Sequence, residues 1–226
     1  IPHITIAEGV DIIAEAAAAG VQVVGETCPQ YLTHNNDAPP LVVLEHPACA
    51  NVNPPLRDKA SNERLWEGLA QGIIKCIGSD LAPTTLAMKG DNIWEAPMGL
   101  GNTSELLLPV LLSEGVNKGR LTLEKVVEIC CENPARIFGV HPRKGRLEAG
   151  ADADLVVVDL DQTRTVEVGK LRTMCDWSIY DGWQLTGWPV HTVLRGQVIV
   201  EEGEPVSRVT GQARYIRRGR PQGPGQ

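Results

Sequence analysis

The sequence predicts an α/β protein whose parallel strands are covered on both faces, followed by a smaller antiparallel β-rich region. Three observations predict it. Helical spacing alternates with continuous apolar runs too short for helices, which is the pattern of βα units. Those runs end in Gly, Ser or Asp rather than alternating with polar residues. From Gly145 onward the texture changes to short β-branched runs divided by Gly, Asp and Pro, which read as hairpins.

Taken in order, "IAEGVDIIAEAAAAG" sets Val10, Ile13 and Ala17 at helical spacing and stops at Gly20. "VQVVGET" supplies a strand, and a second, "IIKCIGSD", follows a helix over 61–72. The intervening "PPLVVLEHPACANVNPPLR" is a long irregular segment, and loops of that length leaving the carboxyl end of a strand are usually functional. Two more helices are expected over 104–114 and 122–132, the second capped by Thr122 and interrupted by Asn133 and Pro134. "GRLEAGADADLVVVDLD" and "PVHTVLRGQVIVEEGEPV" form the antiparallel strands. The division places residues 1–142 in the α/β part, 143–213 in the β-rich part and 214–226 in a Pro/Gly-rich tail.

The 226 residues are 42% hydrophobic and 22% charged, enough to bury a real core. A net charge of -7 provides no general basic field for nucleic acid or anionic lipid, and the basic cluster "RYIRRGRP" lies in the tail, where it reads as solvated or docked on a subunit. No apolar run approaches the ~20 residues of a membrane span. Six cysteines without CxxC or framework spacing indicate reduced thiols and a cytoplasmic location. The chain begins on Ile1, which suggests a segment of something longer.

Two residues stand out chemically. Asp80 ends the apolar run "KCIGSD", where an acid is a cap, a turn residue or a cation ligand; His3 precedes the first helix at what reads as the end of another strand. Each alone has a structural explanation. Together, at carboxyl ends of neighbouring strands, imidazole and carboxylate form a normal zinc ligand pair. Cys28 in "ETCPQYL" has no base nearby in sequence and reads as a buried thiol. His34, His46, His141 and His191 read as loop or surface residues, and Trp177, Trp183 and Trp188 as packing for the β-rich part or a subunit interface.

The ordered set "HITIAEGVDII", "GETCPQYL", "NPPLRDKASNERLWEGL", "IGSDLAP", "ENPARIFGVHPRKGRLEAGADADLVVVD" and "LTGWPVHTVLRGQVIVEEGE" resembles the carboxyl-terminal half of the hydantoinase and dihydropyrimidinase family of cyclic amidohydrolases. The resemblance implies the last strands, six to eight, of a (β/α)₈ TIM barrel plus part of a β-sandwich. It implies a binuclear zinc centre with His3 and Asp80 as ligands, and Asp80 as the catalytic group passing a proton from the attacking water to the leaving nitrogen. It places Asn53, where the family carries a small residue, and Gly101 and Asn102 at the substrate ring, a small cyclic amide or ureide. Relatives are often tetramers, so a homo-oligomer is expected. "SDLAPT", with Leu81 and Thr84 instead of two histidines, disfavours dihydroorotate. The family's other ligands, a His-x-His pair, a carboxylated lysine and a further histidine, have no counterpart here, so this chain is expected to need the amino-terminal half for activity. The alternatives are a non-catalytic scaffold of the same fold and another amidohydrolase such as an allantoinase.

Overall fold

The computed structural model describes residues 1–101, 103–206, 211, 213–221 and 223. Helix α1, Ala7–Ala18, buries Val10 and Ile13. It ends where Gly20 takes φ +82°, with Val21 N–H donating to Ala16 O at 2.9 Å and Gly20 N–H to Ala17 O at 3.0 Å. This double closure satisfies the last helical carbonyls and turns the chain toward β1, Gly25–Thr27. Helix α4, Lys59–Ala70, ends the same way through Gly72 and leads into β2, Ile74–Ile77. Its N-cap is Asp58, whose carboxylate accepts from Ser61 N–H at 2.8 Å, so the helix starts slightly earlier than the sequence suggests.

β1 and β2 pair in parallel. On the other side of β1, the extended residues 1–4 run in the same direction, tied by Glu26 N–H to Ile1 O at 3.0 Å and Ile4 N–H to Glu26 O at 2.8 Å. Regular pairing on this side is broken where His3 adopts φ +58°, and the register with β2 shifts between Gly25 and Glu26. Of the expected seven-residue strand, only Gly25–Thr27 forms β1. Leu65, Trp66 and Leu69 of α4 meet Val10, Ile13 and Ile74 in one core beneath these strands.

The segment between the strands is less irregular than expected. It holds α2 (Pro29–Thr33), α3 (Leu41–Glu45) and a 3₁₀ turn, Pro47–Ala50. After β2 come α5 (Leu86–Lys89) and α6 (Thr103–Val110), the latter continued by a π-helical stretch, Leu111–Val116. Helix α7, Leu123–Val127, is capped by Thr122 as expected, but Asn133 and Pro134 do not interrupt it. A π stretch, Glu128–Glu132, runs directly into α8, Asn133–Ile137. The wider turn before Pro134 accommodates its missing N–H and its ring, which would collide with the preceding turn of a regular α-helix.

The carboxyl-terminal region forms one antiparallel sheet in the order β3 (Leu155–Thr165), β4 (Gln184–Leu194), β5 (Gln197–Glu201), β6 (Glu204–Pro205). Two-residue turns at Arg195–Gly196 and Glu202–Gly203, all four at positive φ, match the right-handed twist of the hairpins. Residues 166–183 between β3 and β4 return to the α/β part, where Trp177, Ile179 and Tyr180 pack with Leu100, Leu106 and Val110. The tail touches this body through Gly219 N–H donating to Gly139 O at 2.6 Å. Among the described residues, no helix is long and apolar enough to cross a membrane.

Candidate metal centre

His3 and Asp80 converge. His3 Nε2 lies 3.7 Å from Asp80 Oδ1, with both side chains half-buried. The geometry is delivered by two backbone irregularities, since His3 (φ +58°) and Asp80 (φ +50°) are both non-glycine residues in the left-handed region. Such conformations cost free energy and persist where the surrounding fold fixes them, frequently at functional sites. Here each rotates a side chain out of the alternation of an extended segment and over the carboxyl end of the parallel strands.

The neighbours of this pair are polar and specific. Gln30, fully buried at the start of α2, donates from Nε2 to Asp80 Oδ2 at 3.3 Å, which leaves Oδ1 facing the imidazole. Its Oε1 is buried and has no hydrogen-bond partner among the described residues. Glu26 Oε1 lies 3.1 Å from His3 Nδ1, and Cys28 Sγ lies 3.4 Å from the same nitrogen. Burial pushes the Asp80 carboxyl above the usual carboxylate range; the His3 imidazole opposes this shift and Glu26 adds to it. Cys28 is fully buried, and burial together with the charges of Glu26 and Asp80 drives its thiol far up, so it stays protonated. The sequence located no base near Cys28; the fold supplies an imidazole, but a thiol held neutral in this way is no nucleophile.

The donor chemistry suits a cation. An imidazole nitrogen and a carboxylate oxygen at this separation can share one ion whose bonds are ~2.1 Å. His3, Cys28 and Asp80 each offer a ligand atom within 4.8 Å of the others. Imidazole nitrogen is a donor for transition-metal ions, whereas carboxylate oxygen also serves calcium and magnesium.

The other expected site residues are placed differently. Asn53 is exposed in the loop before α4, and Tyr31 Oη donates to the adjoining Pro54 O at 2.9 Å. Gly101 is buried, and a β-carbon there would lie 2.4 Å from Cys175 Sγ. A parallel bridge between Leu81 and Leu100 nevertheless sets the Gly101 segment beside that of Asp80. Asn102 lies outside the described residues. His34, expected as a loop or surface residue, is buried against the rings of Tyr180 and Trp183. Trp177 and Trp183 join the sheet to the α/β part: they share a core with Leu185 of β4, while Trp177 Nε1 donates to Thr84 O at 2.9 Å and Trp183 stacks on His34. Glu26 escaped the sequence reading because an acid inside a short strand gives no signal until its neighbour across the sheet is known.

Comparison with known proteins gives a consistent picture. The chain is 40% identical over 206 residues to an L-hydantoinase of Paenarthrobacter aurescens, covering 89% of this chain and 44% of the relative. It is 35% identical to a D-hydantoinase of Geobacillus stearothermophilus (96% and 46% covered) and 38% identical to a dihydroorotase of Halobacterium salinarum (94% and 47%). A D-hydantoinase crystal structure superposes with a TM-score of 0.88 at 34% identity, covering 96% of this chain and 48% of that one. The chain thus spans about half the length of the relatives it matches, and its fold is the corresponding part of a TIM-barrel hydrolase with the adjoining β-rich region. Residues 2–199 match the amidohydrolase family model, and with that match covering both His3 and Asp80, this chain belongs to the amidohydrolase family.

Proposed function

We propose that this chain contributes to the metal-dependent hydrolysis of a cyclic amide C–N bond, the opening of a hydantoin or dihydropyrimidine ring. His3 and Asp80 act as metal ligands and Asp80 also as the proton-transfer group. The observation that carries this reading is the 3.7 Å approach of His3 Nε2 to Asp80 Oδ1, delivered by two left-handed residues from separate strand ends. Bound there, divalent zinc, two ions in the complete centre, supplies an activated water and polarises the ring carbonyl. His3 holds its side of the site through Nε2. Asp80 takes the proton of the attacking water and returns it to the leaving ring nitrogen, a task for a carboxylate within reach of both. Gln30 orients that carboxylate from behind. Asn53, Gly101 and Asn102 are assigned to the substrate ring, the first two through backbone groups.

Two ligands fall short of the three protein ligands usual for a catalytic zinc. We assign the missing ones to the half that the relatives possess beyond the part matched here. We place the working protein in the cytoplasm, in keeping with free cysteines, and take it as a homo-oligomer from the family resemblance alone. Leu81 and Thr84 weigh against dihydroorotate as substrate. In the protein carrying the complete ligand set, Asp80→Asn is expected to lower hydrolysis of hydantoin or dihydrouracil by at least ~10²-fold. Unchanged turnover would remove Asp80 from the chemistry, and hydrolysis of dihydroorotate in preference to both rings would overturn the substrate assignment.

A further inference from the structure

Glu26 has no part in the reaction as proposed, yet its carboxylate is built into the centre. It sits in β1 beside His3, with Oε1 3.1 Å from Nδ1. A neutral imidazole carries one N–H, and an ionised carboxylate only accepts, so this contact places the proton on Nδ1 and leaves the lone pair on Nε2, toward Asp80. The competing neighbour, the neutral thiol of Cys28 at 3.4 Å, is a weak acceptor. Room for the carboxylate comes from the facing strand end: a β-carbon on Gly78 would stand 2.9 Å from Glu26 Cδ and 3.0 Å from each of its oxygens. A glycine two residues before Asp80 therefore admits the group that orients His3.

We propose that Glu26 is a positioning residue of the metal centre, fixing the tautomer and ring orientation of His3 so that Nε2 is presented as a ligand, with Gly78 providing the space it occupies. The inference rests on the assignment of His3 and Asp80 as ligands. Its test is zinc affinity, measured by chelator competition on metal-stripped protein carrying the complete ligand set, together with the ¹⁵N shifts of selectively labelled histidine. Glu26→Ala is expected to weaken zinc binding ~10- to 100-fold and to move the His3 shifts away from an Nδ1-protonated ring. Glu26→Gln, which keeps an acceptor oxygen, recovers part of the affinity. Gly78→Ala, which leaves the carboxylate in the chain but displaces it, produces a loss in the same direction. These readouts separate orientation from mere folding, because a structural role does not select a tautomer. Wild-type affinity and unchanged His3 shifts in Glu26→Ala, alongside loss of zinc in His3→Ala, would overturn the role of Glu26 alone. Wild-type zinc affinity in His3→Ala as well would overturn the ligand assignment beneath it.

Discussion

Lys89 shows how a single side chain can hold two loop segments together. It is only 2% exposed, and its ammonium donates to Asn51 O at 3.1 Å and Pro97 O at 2.7 Å, beneath the face of Trp177. Burial depresses its pKa, an effect that neighbouring Cys49 opposes. Asn51 completes the clamp: its carbonyl also accepts from Gly99 N–H at 3.0 Å, and its amide donates to Ala96 O at 2.8 Å. The loop leading to Asn53 is thereby fastened to the segment leading to Gly101. Lys89→Ala leaves a buried carbonyl without its donor and a void under Trp177, and is expected to cost ~2–4 kcal/mol in urea unfolding. A loss below ~0.5 kcal/mol would show that no clamp exists. The pairing of His3 with Asp80 was legible in the sequence because Asp80 ends an apolar run and His3 stands directly before a helix, both with ligand-type side chains. Lys89 and Glu26 were not, because their partners come from segments that only tertiary closure brings near.

Among the elements, helix and strand identities were legible from apolar periodicity, while their interruptions were not. The π stretches that carry the chain past Pro134 and follow Pro109 depend on how a proline ring is accommodated, which periodicity does not encode. The second of them also meets the β-rich sheet. Gly187 in β4 has φ +101°, and a β-carbon there would lie 2.8 Å from Leu112 Cβ. The strand thus crosses the π stretch at a distance only glycine permits, in a backbone conformation that other residues rarely adopt. Gly187→Ala is expected to destabilise the protein by ~2 kcal/mol or more through combined strain and overpacking, read as a lower urea midpoint. Equal midpoints would mean that β4 does not depend on this contact.

At the scale of the whole molecule, the α/β part and the returning segment 166–183 are joined by a buried histidine. His34 Nε2 bonds to Ile179 O at 3.0 Å, its ring stacks on Trp183 with centroids 4.9 Å apart, and Tyr180 meets it edge-on at 4.8 Å. Thr33 Oγ1 bonds to both His34 Nδ1 (2.9 Å) and Tyr180 Oη (3.0 Å), closing the cluster from α2. None of this was visible in the sequence, where His34 precedes two asparagines like any loop histidine. Burial lowers its pKa from 6.5 to about 4, only partly offset by the bond to Ile179 O. Between those values the unfolded chain binds a proton that the folded one refuses, so stability present above pH 6.5 is lost as pH falls toward 4. The depression corresponds to at most ~3 kcal/mol, enough to loosen the junction in mild acid. Urea unfolding at pH 7 and pH 4.5 is expected to show this loss in the wild-type chain. His34→Gln, which cannot titrate, starts from a lower stability but loses less on acidification. An identical loss in both proteins would show that other groups govern the acid response and that the His34 junction is not its origin.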